Sequence, residues 1–268
     1  MERQQKIDYL LSREHYSIDD LNMIVDILRS PGGCPWDREQ THKSIRQGFI
    51  EETYEVIEAI DRDDAVLMCE ELGDVLLQVS FHADIERVNG RFTFDDVTDG
   101  ICRKLIHRHP HVFGNVHADT TDAVLANWDK IKNDEKSRRT VTERLKAIPP
   151  MLPALIRAEK VGSKASCFDF TDADAVMDKL QEELDEVGEA VETGDREAIQ
   201  EEIGDLLLTV TSLARKLDIQ PEQALQQATD KFIERFSIVE SAVTAQHRDI
   251  NNVDAHELDE IWEKIKHN

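Results

Sequence analysis

The sequence predicts an all-α protein made of two tandem helical-bundle modules, and three observations carry that reading. Glycine and proline are scarce, at 11 and 7 in 268 residues, while 33% of the chain is charged. Apolar residues recur at helical spacing and strand-like alternation is rare. One acidic segment also occurs twice, which is the sequence signature of a duplicated unit.

The duplicated segments are 51–79, EETYEVIEAIDRDDAVLMCEELGDVLLQV, and 182–210, EELDEVGEAVETGDREAIQEEIGDLLLTV. They align without a gap at an offset of 131 (183 − 52). Chance similarity between acidic helices would match a few glutamates. It would not hold Gly73-Asp74 against Gly204-Asp205 and Leu76-Leu77 against Leu207-Leu208 in the same register. Phe49, Val56 and Ile60 predict one helix, and Leu72, Val75, Leu76 and Val79 a second. Asp61-Arg62-Asp63-Asp64 and Thr193-Gly194-Asp195 supply the intervening turns.

Weaker parallels follow. Lys104-Leu-Ile-His-Arg108 resembles Lys231-Phe-Ile-Glu-Arg235, and Asn127-Trp-Asp-Lys-Ile-Lys132 resembles Ile261-Trp-Glu-Lys-Ile-Lys266. A charged stretch from Lys132 to Arg144 and then Pro149, Pro150 and Pro153 interrupt helix continuity. The modules are therefore expected at 1–148 and 149–268.

Charge and cysteine usage narrow the function classes. The net charge is −24 with no basic stripe, which argues against a nucleic-acid partner. No apolar run approaches the roughly 20 residues of a membrane span. Four scattered cysteines without a CxxC pair and an N-terminus without an apolar signal core suggest a cytoplasmic protein.

Each repeat carries ExxE, a spacer and ExxD: Glu52, Glu55, Glu71 and Asp74, then Glu183, Glu186, Glu202 and Asp205. Residues three apart lie one helical turn up on neighbouring faces, so each pair points the same way and flanks the apolar stripe. Folding the hairpin should bring four carboxylates together at the edge of the core. Like charges at about 4 Å cost about 4 kcal/mol per pair at an effective dielectric near 20, so a cation is needed. All-oxygen ligation suits Mg²⁺ or Mn²⁺. An EF-hand glycine loop for Ca²⁺ is missing, and neither half has the ExxH of a di-iron bundle.

Lys104 and Arg108, like Lys231 and Arg235, are four apart on one helix face. Lys132 and Lys266 each follow a tryptophan, Trp128 and Trp262, by four residues. These cations suit a phosphate substrate and the tryptophans a base, although both also occur as ordinary surface charges and core anchors. Pro31-Gly-Gly-Cys-Pro-Trp-Asp37 reads as a rigid loop leading into a helix and lacks the ending of a Walker loop. His107-Arg-His-Pro-His111 reads as a helix-end cluster.

These elements together resemble the MazG proteins of the all-α nucleotide pyrophosphohydrolase superfamily. The resemblance rests on GGCPWDREQTH (32–42), the two EExxE…EExGD segments, HRHPHVFG (107–114), NWDKIK (127–132) and FDF (168–170). It implies Mg²⁺-dependent hydrolysis of nucleoside triphosphates, ATP among them, at the α–β phosphoanhydride, with broad specificity and a homodimeric enzyme. By motif position, Glu183, Glu186, Glu202 and Asp205 would bind metal. Lys179, Glu182, Lys231, Arg235, Trp262 and Lys266 would surround the nucleotide, with Glu182 or Glu183 assisting deprotonation of water. Glu52, Glu55, Glu71 and Asp74 match in the first copy, with Lys104, Arg108, Trp128 and Lys132. Gly48 stands opposite Lys179, so the second copy is expected to be the main catalyst. Two alternatives share many of these features: a house-cleaning enzyme of narrow specificity, and a non-enzymatic acidic helical regulator that binds metal.

Overall fold

The computed structural model describes residues 2–137 and 139–266, which contain helices and no strand. The chain divides into two compact units, Met1–Asp129 and Lys130–Asn268. The division falls earlier than the 148/149 break expected from the prolines, because the short helix before Pro149 packs on the helix that follows it.

The first unit contains α1 (Arg3–Leu11), α2 (Ile18–Arg29), α3 (Pro35–Glu39), α4 (Arg46–Asp61), α5 (Ala65–Val88), α6 (Phe94–Arg108) and α7 (Pro110–Phe113). The division lies inside α8 (Thr121–Glu135). Helices α4 and α5 form the acidic hairpin, and α2 packs on α5. The core is Val25, Ile45, Phe81 and Ile85, with Leu21 and Leu77 against it. Beneath it, Arg29 Nε donates to Asp84 at 2.8 Å, while its Nη1 donates to the Asp37 carbonyl at 2.7 Å. That arginine ties the 31–37 loop to both α2 and α5. Gly33 is required there, since a Cβ would lie 2.2 Å from the Leu28 carbonyl oxygen. The 40–45 segment is fixed by His42, whose ring stacks on His82 at 4.9 Å and whose Nε2 meets buried Glu86.

The second unit contains α9 (Val141–Lys146), α10 (Ala154–Lys164), α11 (Ala173–Thr193), α12 (Arg196–Lys216), α13 (Pro221–Thr244) and α14 (Ala255–Lys266). Helices α11 and α12 form its acidic hairpin, α10 packs on α12 and α13, and α13 packs on α14. The duplication extends to the turn geometry. Asp63 and Gly194, 131 apart, both have positive φ (52° and 71°). The residue after each, Asp64 and Asp195, caps the next helix through its carboxylate.

Asp169, in the FDF segment, is held on α12 by Arg215 (2.6 Å) and Lys216 (3.0 Å). The Arg215 hydrogen bond, followed by Lys216, holds its carboxyl far below the ordinary range despite burial. Its stabilising contribution is therefore complete above the unfolded value and lost as pH falls through the folded one. Asp169→Asn is expected to cost about 2 kcal/mol in urea unfolding at neutral pH, because two cations lose their anion. The deficit should shrink as the wild type is acidified.

The predicted apolar stripe is much less covered than its periodicity suggested. Ile60 and its counterpart Val191 are both 57% exposed, and Leu72, Ile203, Leu76 and Leu207 are also exposed. Each hairpin buries Ala59 or Ala190 and leaves much of its apolar surface bare within the chain.

Candidate metal cages and nucleotide site

In the second unit, Glu183 and Glu186 lie one turn apart on α11 and face Glu202 on α12. One carboxylate oxygen from each lies within 4.8 Å of the others. Octahedral ligands around a small hard dication are about 3 Å apart when adjacent and about 4 Å when opposite, so this spacing brackets a coordination shell. Glu183 is buried; Glu186 and Glu202 are half-buried. Burial first, then Glu186, Glu201, Asp205 and Glu183, raise the Glu202 pKa above the ordinary carboxylate value. Lys179, one turn before the pair, donates from Nζ to Glu182 at 2.7 Å and lies 3.0 Å from Glu183 and 3.9 Å from Glu186.

The first unit repeats the cage with Glu52 and Glu55 on α4 and Glu71 on α5, again within 4.8 Å. Burial is the leading cause of raised pKa values at Glu52 and Glu71. Asp74 and Glu55 add to the rise at Glu52, and Glu55, Glu70 and Asp74 to that at Glu71. In both cages the glutamates converge as expected, whereas Asp74 and Asp205 stand outside the close group and act on it through charge. An all-oxygen, anionic donor set at this spacing, with Glu52, Glu71 and Glu202 pushed toward the protonated form, fits a hard divalent cation.

The basic and aromatic candidates lie on the following helices. Lys231 and Arg235 are on α13, exposed and half-buried; Trp262 and Lys266 are on α14. Trp262 packs 5.2 Å from Phe232, and Phe232, Phe236, Val239, Leu258 and Trp262 line a cavity of about 260 Å³. Lys266 pairs with Glu263 at 3.3 Å. In the first unit, Arg108 is buried with its guanidinium 5.3 Å from the Trp128 ring centre, and His109 meets the same ring edge-on at 4.8 Å. Lys104 is exposed on α6 and Lys132 is half-buried on α8. The tryptophans thus recur, but with a cation and a histidine in one copy and a phenylalanine pair in the other.

Two features of the cages escaped the motif reading. Lys179 was expected at the nucleotide, yet it sits among the carboxylates; its i, i+3 and i, i+4 spacing to Glu182 and Glu183 was the available signal. Gln78, which offsets part of the rise in the Glu52 pKa, carries no motif at all.

Fold and cages define a duplicated all-helical protein with a metal-type acidic site in each unit. Comparison with known proteins specifies the class. The MazG nucleotide pyrophosphohydrolase domain matches residues 40–113 and again 171–239. A Thermotoga maritima protein named nucleoside triphosphate pyrophosphohydrolase/pyrophosphatase MazG is 44% identical over 250 residues, covering 92% of this chain and 95% of its own. An Escherichia coli K12 nucleoside triphosphate pyrophosphohydrolase is 42% identical over 254 residues, covering 93% and 97%. The chain belongs to the MazG nucleotide pyrophosphohydrolase family, and it is an enzyme.

Proposed function

We propose that the second unit hydrolyses nucleoside triphosphates at the α–β phosphoanhydride, releasing a nucleoside monophosphate and pyrophosphate. The observation that carries this reading is the Glu183–Glu186–Glu202 cage with Lys179 seated in it, in a unit that also offers an aromatic cavity beside Trp262. Glu183, Glu186 and Glu202 would hold Mg²⁺, or Mn²⁺ in its place, with Asp205 adding charge. A cation held by these residues would neutralise phosphate oxygens and make water more acidic.

The chain's own groups do the rest. Glu182, largely exposed beside the cage, accepts the proton of the attacking water. A new oxygen–α-phosphorus bond forms as the bridging bond to pyrophosphate breaks. Lys179, Lys231, Arg235 and Lys266 bind the phosphates and stabilise charge on the departing pyrophosphate. Trp262 offers a face to the base, which is sequence-tolerant because every base has one. That fits broad use of ribo- and deoxyribonucleotides, ATP included. The first unit, with its own cage but no lysine at position 48, holds metal and contributes less turnover.

The activity test is a panel of ribo- and deoxyribonucleoside triphosphates, each with Mg²⁺ and with chelator. Comparable turnover across the panel, lost on chelation, supports the reading. Turnover of a single nucleotide would make it a narrow-specificity enzyme, and metal-dependent stability without turnover would make it a regulator.

The functional unit on this reading is a homodimer. Ile60, Leu72 and Leu76, and their counterparts Val191, Ile203 and Leu207, remain exposed at matching positions in both hairpins. Surface of this kind is commonly covered by association. Leu76→Asp and Leu207→Asp together should convert a dimer to monomers in light scattering; an unchanged mass at both positions removes these faces from the interface. The free cysteines fit a reducing cytoplasm.

A further inference from the structure

The two cages differ at two positions that exchange roles. Lys179 in the second cage corresponds to Gly48 in the first, and Thr209 in the second corresponds to Gln78 in the first, each at the offset of 131. In the second cage an ammonium meets Glu183 at 3.0 Å and Glu186 at 3.9 Å, and Glu182 beside the cage at 2.7 Å. In the first, a Cβ on Gly48 would lie 3.1 Å from Gln78 Nε2, so the amide fills the space a side chain there would enter. The Gln78 side chain offsets part of the rise in the Glu52 pKa. A neutral amide thus stands beside the first cage where a full positive charge stands in the second.

An ammonium and a hard dication want the same oxygens. Nζ lies 3.0 Å from Glu183 and 3.9 Å from Glu186, so it draws on carboxylates that a dication in the cage would use, and the two cations repel. The lysine has a flexible four-carbon stem, so it can leave the cage and still reach a phosphate beside it. Gln78 carries no charge to be displaced.

We infer that Lys179 is a built-in counter-cation of the second cage, so that metal enters it together with the nucleotide whose phosphates take the lysine, whereas the first cage loads metal without nucleotide. This rests on the metal-binding reading above. It makes the second site discriminate against free divalent ion and in favour of the metal–nucleotide complex, and it makes the first a standing metal site.

The test is Mn²⁺ binding followed by the electron paramagnetic resonance signal of free ion, on full-length protein without turnover. Glu52→Gln/Glu55→Gln disables the first cage; Glu183→Gln/Glu186→Gln disables the second. Without nucleotide, the protein retaining the first cage should bind Mn²⁺ at least about tenfold more tightly than the one retaining the second. Lys179→Met in the latter should close that gap. A non-hydrolysable α,β-methylene triphosphate should tighten Mn²⁺ binding at the second cage more with Lys179 present than with Met. The reciprocal variant, Gly48→Lys/Gln78→Thr, should weaken the first cage, which keeps the test independent of how Lys179→Met folds. Unchanged or weaker Mn²⁺ binding at the second cage in Lys179→Met overturns the inference while leaving the metal reading intact. Absence of Mn²⁺ binding at both cages overturns the two together.

Discussion

Glu186→Gln is expected to reduce turnover of nucleoside triphosphates by at least about a thousandfold, because it removes one of three convergent anions without changing side-chain shape. The amide keeps its length and packing but offers a weak neutral ligand to a hard cation. Glu186 is half-buried and joins Glu183 and Glu202 within 4.8 Å, so no neighbouring carboxylate in that close group substitutes for it. The matching change in the first unit, Glu55→Gln (186 − 131 = 55), should leave most of the activity. Steady-state kinetics on both variants, with circular dichroism to confirm the helices, measures the contrast. Equal losses would show that the cages share the chemistry, and two unimpaired variants would remove the cages from it.

The second large effect concerns stability without metal. Glu202, Glu52 and Glu71 all have raised pKa values, caused first by burial and then by neighbouring carboxylates. A carboxyl whose folded value is raised contributes stability below its unfolded value, near 4.5, and loses that contribution as pH rises through the folded value. At neutral pH Glu202, Glu52 and Glu71 therefore each lower the stability of the metal-free protein. Glu202→Gln should raise the melting temperature of chelator-treated protein at pH 7, with the gain fading as pH falls toward 4.5. Mg²⁺ should reverse the order, since a ligand at a hundred times its dissociation constant stabilises the wild type by about 2.7 kcal/mol. A Glu202→Gln protein less stable than wild type without metal would show the cage acids to be ordinary structural partners.

How much of this was legible in the sequence depended on whether a feature was local or tertiary. The duplication and its turn residues marked the two hairpins, because turn chemistry is local; the left-handed conformations at Asp63 and Gly194 and the caps at Asp64 and Asp195 emerged from the structure. The convergence of the glutamates followed from three-residue spacing on two antiparallel helices. Periodicity marked Leu72 and Leu76 as apolar, but it does not say whether the same chain covers them, and both stay exposed within it. The core instead draws on Val25 of α2 and Ile45, whose meeting with Phe81 is a long-range event. His42 ends the GGCPWDREQTH motif, but nothing in the sequence named its partner His82, 40 residues on. Lys179 shows the same limit at close range: its spacing allowed it to meet either the cage or a phosphate, and the fold seats it in the cage.

The most direct test of the account is the identity of the products formed from ATP and Mg²⁺, resolved by anion-exchange chromatography. Attack at the α-phosphorus predicts AMP and pyrophosphate in equal amounts from the first turnovers. ADP with orthophosphate would place cleavage at the β–γ bond and contradict the account.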